Sequence, residues 1–342
     1  MLAELTNAQR RQFVDAVQIF EAWEDSRAEL GRRFAGSMRW VERKGHVYLL
    51  RKQASREVSL GRKTEKTEEI HRAFREGRDR ERHRYKELDA RLKEMAPVNR
   101  ALRLNRVPLI TARILRHLAS AQVLGRNISV VGTNSLYLYE ALAGVQLRSD
   151  LLATGDVDLF WDARQSLSLS VSDFRREGVI GHLRRADRSF RRARGQHYRA
   201  INQHGFTVDL IPPANDLLAA ADEHANEVDL VGAGIEGLEW LVNAPKVDGV
   251  VIGEDGIPLR CWSVDPRAFA LHKAWVAGRA DREPVRRLHD RAQAREVARI
   301  ARHYLGMEMS DSALSVLPSF MRGFADDLHR SCEEAIHDGR HP

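Results

Sequence analysis

The sequence predicts an α+β fold, and two observations carry that prediction. Apolar and polar residues alternate with a period of two in short blocks, among them MRWVERKGHVYLLRKQASREVSLG, TGDVDLFW and HYRAINQHGFTVDLI, as strands require. Elsewhere apolar residues recur every three to four positions, as at Phe13, Val17, Phe20 and Trp23, which marks helices. With 43% hydrophobic residues in 342, the chain is long enough to bury the cores of two domains.

The elements follow in order. Thr6 and Gln9 have capping-box spacing ahead of the Phe13 to Trp23 stripe, so a first helix is expected to run to about Gly31. From Met38 the period switches to two, interrupted at Lys44-Gly45 and near Ala54-Ser55, which predicts a three-stranded meander. A highly charged stretch follows in which Tyr85, Leu88, Leu92 and Met95 form a narrow stripe, predicting a long helix packed on another helix. Pro97 and Pro108 punctuate the passage to a further helix bearing Ile110, Ile114, Leu115 and Leu118. NISVVGTNSLYLYEALAG then reads as a strand to Val131, a turn at Gly132 and a helix through Leu136, Tyr139 and Leu142. TGDVDLFW is the next strand, and HYRAINQHGFTVDLI is a hairpin turning at His204-Gly205. The remainder is largely helical, broken by VVIGEDGIPLRCW with its Asp255-Gly256 hairpin turn. These signals divide the chain into an N-terminal helical and β-meander module (1–105), a mixed segment (106–260) and a C-terminal helical region (261–342), with no internal repeat.

Composition excludes several classes. The two cysteines, Cys261 and Cys332, are far apart and lack ligand spacing, which argues against a disulfide framework and a structural zinc site. MLAELTNAQRRQF has no apolar signal-peptide core and no segment is apolar enough to span a bilayer, so a soluble, cytoplasmic protein is expected. A formal charge of +7 makes an anionic partner, nucleic acid or nucleotide, the natural expectation without choosing between them.

Chemistry enters at TGDVDLFW. Alternation along a strand puts Asp156 and Asp158 on one face and Val157 and Leu159 on the other. Two carboxylates desolvated together must face water, take up a proton or bind a cation. In GFTVDLI, Asp209 sits singly between Val208 and Leu210, in a strand that can lie beside the first and bring a third acid to the pair. Upstream, Gly132 permits close backbone approach to a ligand, while Thr133, Asn134 and Ser135 offer hydroxyls, N–H groups and a helix cap suited to a phosphate. Hard divalent cations take oxygen ligands, and two of them can clamp the attacking and leaving oxygens of phosphoryl transfer.

Taken together, Gly132-Thr133, Asp156-Val157-Asp158-Leu159 and Asp209 resemble the nucleotidyltransferase superfamily typified by DNA polymerase beta. The wording GTNSLYLYE followed by TGDVDLFWD looks most like the bacterial nucleotidyltransferase-like domain family related to abortive-infection toxins. The resemblance spans about residues 125 to 215. It implies a mixed sheet flanked by helices, and Mg²⁺- or Mn²⁺-dependent transfer of a nucleoside monophosphate from an NTP such as ATP. Asp156, Asp158 and Asp209 would be metal ligands and catalytic acids, and Gly132, Thr133, Asn134 and Ser135 would hold the nucleotide. In DPRAFALHKAWVAGRADREPVRRLHDRAQA it is weaker and points to Lys273, Arg279, Arg286 and Asp290, with Lys273 neutralising the triphosphate. Thr133 stands where the family usually carries Ser or Gly, and 22 residues separate it from Asp156.

Two features stand outside this pattern. The run HLRRADRSFRRARGQHYR (Arg184, Arg185, Arg188, Arg191, Arg192, Arg194 and Arg199) suits a triphosphate, an RNA acceptor such as tRNA or simply water. Gly232, Gly234 and Gly237 have G-x-G-x-x-G spacing with Glu254 at the distance of a ribose-binding acid, so dinucleotide binding is a rival reading. Pro245 and the Asp255-Gly256 turn deny that rival the next βα unit. A nucleic-acid-binding module of the same fold without turnover is the other alternative.

Overall fold

A computed structural model describes residues 2–161, 172–211, 239–309 and 312–330. They form two compact units, residues 11–102 with 256–258, and residues 1–10, 103–255 and 259–342. A two-residue strand, β1 (Ala3–Glu4), precedes helix α1 (Asn7–Arg32). The expected capping box closes α1: Gln9 N–H donates to Thr6 Oγ1 at 3.3 Å and Gln9 Oε1 accepts from Thr6 N–H at 2.9 Å.

The first unit holds most of α1, the antiparallel meander β2 (Ser37–Arg43), β3 (His46–Gln53) and β4 (Arg56–Arg62), and helix α2 (Glu65–Ala101). Both turns fall where expected, with Lys44, Gly45 and Ala54 at positive φ. The helix stripe meets α1, where Trp23 stacks on Tyr85 at 5.5 Å and Leu88 and Leu92 are buried. One expectation is corrected here, because α2 continues through Pro97 instead of ending there. Pro97 is exposed and lies near the C-terminal end, so the helix forfeits a single i→i−4 bond while Ala96 and Asn99 on its other side remain buried.

The second unit is a mixed sheet flanked by helices, as the resemblance implies. Helix α3 (Leu109–Ser120) starts directly after Pro108. Then come β5 (Ile128–Val131), a 3₁₀ turn (Gly132–Ser135), α4 (Leu136–Ala143), β6 (Val145–Gln146), α5 (Ser149–Leu152), β7 (Asp156–Trp161) and α6 (Ser172–Ala186). Strands β8 (Arg191–Ala193), β9 (Gln196–Ile201), β10 (Thr207–Ile211), β11 (Lys246–Ile252) and β12 (Pro258–Val264) follow, then helices α7 (Pro266–Gly278), α8 (Pro284–Arg299) and α9 (Ser319–Arg322). The seven-stranded sheet has the order β11-β12-β5-β7-β10-β9-β8.

Strand β7 lies at the middle, antiparallel to β5 and parallel to β10. Its apolar face is closed, with Val157 and Leu159 fully buried, which forces Asp156 and Asp158 to the opposite face. Tyr139 of α4 anchors the far side of the core by donating to the Val264 carbonyl at 2.9 Å and meeting the Phe269 ring edge-on at 5.5 Å. Cys261 is a buried free thiol whose pKa is pushed up to about 12 by burial. Among the described residues no helix is long and apolar enough to cross a membrane. Gly232, Gly234 and Gly237 lie outside the described residues. Glu254, their proposed partner, accepts from the Leu109 N–H at 3.0 Å, at the first turn of α3.

Candidate active site

Parallel pairing sets the site. In the β7–β10 register Asp209 stands beside Asp158 and Thr207 beside Asp156, so all three acids occupy one face of the sheet. Three like charges on one face repel. The Asp158 carboxyl is pushed up to about 7, first by burial and then by Asp156 and Asp209, while Lys273 and Arg199 pull it back down. Asp156 is partly exposed, and one of its oxygens accepts from the Thr154 hydroxyl.

Asp209 is the most buried of the three, at 5% exposure, and it is not alone. Arg199 stands directly across the hairpin on β9 and forks onto it, Nε to Oδ1 and Nη2 to Oδ2, each at 2.6 Å. The same pairing raises the Arg199 pKa above its ordinary value. Asn202 closes the turn by accepting from the His204 and Phe206 N–H groups, both at 2.9 Å, which fixes the register that aligns the pair.

Gly132 is a glycine for two reasons. Its φ is +66°, and a Cβ there would lie 2.3 Å from Asp158 Oδ2. The backbone after β5 therefore rests against the central acid. Thr133 Oγ1 accepts from Gln293 Nε2 of α8 at 3.3 Å. Asn134 and Ser135 turn inward instead: Asn134 Nδ2 donates to the Asp156 carbonyl at 2.8 Å, and the fully buried Ser135 hydroxyl donates to the Val130 carbonyl at 3.4 Å. Ser135 makes no side-chain cap for α4, contrary to the expectation from residue type, because its hydroxyl is spent on the preceding strand.

A cavity of about 380 Å³ opens against this face. Gly132 and Asp158 line one wall, and Ile211, Val264, Phe269 and Val276 supply an apolar one. Lys273, Arg279 and Arg282 bring positive charge to the same cavity. Buried Asp290 of α8 holds two of them, accepting from Lys273 Nζ at 2.7 Å and from Arg282 Nε at 2.8 Å. Arg279 pairs with Asp281 at 2.8 Å. Arg286, the candidate from the sequence, is instead an exposed residue paired with Glu283 at 3.3 Å, and Arg282 takes the place beside Lys273.

Two residues of the site carry no sequence signal of their own. His272 lines the cavity, its Nε2 is buried with no hydrogen-bond partner, and burial pulls its pKa down to about 3. Gln293 ties α8 to both Thr133 and the Leu151 carbonyl. Of the Arg-rich run, Arg199 alone joins the acids. Arg191 and Arg192 lie on β8, the edge strand of the sheet, and Arg184 near the end of α6 donates to the Phe190 carbonyl at 3.0 Å.

The donor set consists of hard carboxylate oxygens beside a backbone with no side chain in the way, which suits Mg²⁺ or Mn²⁺ in chemistry and in access. Among the described residues no three His, Cys, Asp or Glu side chains are drawn together as a ready-made cage, and Arg199 occupies both Asp209 oxygens. A family model described as Nucleotidyltransferase matches residues 110–318, which takes in the whole of this site and more than half of the chain. No curated protein and no solved structure matches the chain.

Proposed function

The chain belongs to the nucleotidyltransferase family and is a nucleotidyltransferase enzyme; we propose that it moves a nucleoside monophosphate from an NTP, with Mg²⁺ or Mn²⁺, to an acceptor hydroxyl, RNA being the acceptor class first to test. The observation that carries this reading is the register placing Asp209 beside Asp158 on the face that opens to the cavity.

Bound divalent cations would neutralise the phosphate charge and activate the oxygens of the displacement. Asp156 and Asp158 would hold them, and the raised pKa of Asp158 fits a carboxylate whose ionised form a cation on the same face would favour further. Asp209, oriented by Arg199, would complete the set and accept the proton of the attacking hydroxyl. For that role Arg199 must release one Asp209 oxygen, so its fork is a gate as well as a clamp.

Gly132 and Thr133 would sit under the triphosphate, while Asn134 and Ser135 act from behind by fixing the strand ends that present them. Lys273 and Arg282, both held by Asp290, would bind the phosphates. We assign the catalytic segment to residues 106–260 and the phosphate-facing helices to the region after 261. Purified protein incubated with each labelled NTP, Mg²⁺ and a pool of RNA should transfer label to RNA. Label retained wholly on NTP across all four nucleotides, with RNA, protein and small-hydroxyl acceptors, would overturn the reading.

A further inference from the structure

Charge is divided unevenly along this chain. Residues 11–102 hold 23 Lys and Arg against 16 Asp and Glu, and the rest of the chain holds 32 of each. The entire formal charge of +7 therefore belongs to the N-terminal unit, and the part that carries the catalytic acids is neutral. Within that unit the excess is concentrated again: residues 37–63, the meander, hold eight basic residues against Glu42 and Glu57.

Strand register sorts these charges by face. Trp40, Leu49 and Arg51 share the face toward α2, where Trp40 meets His71 edge-on at 5.5 Å and Arg51 lies 5.6 Å from the Phe74 ring. Arg39, Arg43, Tyr48, Lys52 and Arg62 share the other face. Glu57 is the single carboxylate of the meander on that face, and it is already shared by Arg39 at 2.9 Å and Arg43 at 3.4 Å. Both arginine side chains remain about three-fifths exposed, at 60% and 59%, and Lys52 and Arg62 are exposed as well. The Arg62 guanidinium carbon lies 5.9 Å from the Tyr48 ring centroid and Arg62 Nε donates to the Tyr48 hydroxyl at 3.3 Å, so an aromatic ring stands among the cations.

We propose that this meander face binds the sugar–phosphate backbone of a single-stranded nucleic acid, separately from the catalytic cleft. A face with four cationic side chains against one carboxylate gives affinity through counterion release, and a partly exposed tyrosine ring gives a base a surface to lie on. A membrane surface would take up the same charge, but the face offers no exposed apolar residue to insert among the headgroups, since Val41 is half-buried and Leu50 is buried. The acceptor, in this arrangement, is held by one unit and modified by the other.

The test is fluorescence anisotropy of a labelled single-stranded RNA with the full chain, in EDTA and without NTP, so that the result is independent of the catalytic proposal. Arms with single-stranded DNA and anionic vesicles distinguish the sources of phosphate. Replacing Arg39, Arg43, Lys52 and Arg62 with Gln should weaken RNA binding by at least about tenfold. It should also lower the salt slope by about 3, at roughly 0.7 for each phosphate no longer neutralised. The double reversal Lys52→Glu with Arg62→Glu, which leaves the Glu57 pairs intact, should weaken binding likewise, and unchanged far-ultraviolet circular dichroism secures the fold of both variants. Unchanged affinity and slope in both folded variants, or binding to vesicles and not to either nucleic acid, would overturn the proposal.

Discussion

Strands β7 and β10 run parallel and present Asp158 and Asp209 at the same register position, yet their surroundings treat the two acids in opposite ways. Asp209 is gripped at both oxygens by Arg199, so its charge is met within the protein. Asp158 has no such fork. Burial and two like-charged neighbours push it up to about 7, with Lys273 and Arg199 offsetting only part of that push. Asp209 is an acid already satisfied by a partner the fold supplies, which orients it. An acid suited to a cationic ligand looks like Asp158, whose ionised form the protein's own cations stabilise only in part.

That contrast can be broken from either side. Replacing Asp158 with Asn should have the largest effect, lowering transfer by about 10³-fold or more while the fold persists, measured by label transfer alongside circular dichroism. Next, Arg199→Gln should strip Asp209 of its fork. We expect a loss of about 1–3 kcal/mol in stability by thermal melt, since the acid is buried and loses its charged partner. A rate reduction of about 10²-fold should follow, because Asp209 is then free to misalign. Lys273→Ala should act on binding more than on chemistry, raising the KM for NTP by about tenfold to a hundredfold with a smaller change in kcat.

The last prediction concerns a base in the same cavity. His272 is the mirror of Asp158, a buried group whose charge is disfavoured by burial and by Lys273 and Arg282, with Asp290 opposing them. Its folded pKa, about 3, lies below the ordinary 6.5, so its contribution to stability is present above pH 6.5 and is lost as the pH falls from there toward 3. The parent should lose up to about 1.4 kcal/mol per pH unit through this group in that window. His272→Leu should lose stability less steeply than the parent on acidification, and parallel melting curves from pH 7 to 5 would contradict the assignment.

Much of this site is legible in the sequence because it follows from parity. Asp156 and Asp158 have to share a face once Val157 and Leu159 are given to the core. Asp209 and its hairpin follow from alternation and from the His204-Gly205 turn. Even Arg199 is within reach, since it lies as far before His204 as Asp209 lies after it, but within a run of seven arginines it looks like solvated charge. What parity cannot give is long-range register. That β10 pairs with β7 in parallel, with Asp209 opposite Asp158 and not one pair along, depends on packing across the whole sheet.

Matching by resemblance fails at Arg286 for a different reason. The resemblance points to Arg286, but α7 ends at Gly278 and the chain turns before Pro284, which sends Arg286 outward and brings Arg282 in. His272 stays hidden because a histidine among apolar residues on a helix looks like core, and only the cavity at its ring distinguishes it. Ser135 shows the converse, a good capping residue by type whose hydroxyl is taken by the strand before it.

The measurement that bears most directly on the site is a four-way thermal melt of the parent and Asp158→Asn at pH 8, each in EDTA and in Mg²⁺ with a non-hydrolysable NTP. If Asp158 is the acid held ready for a ligand, neutralising it relieves repulsion, and the variant should melt in EDTA at or above the parent. The parent should gain about 2.7 kcal/mol with ligand at a hundred times its Kd, and the variant should lose most of that gain. A variant that melts well below the parent in EDTA yet keeps the full ligand-induced rise would make Asp158 a structural residue and contradict the account.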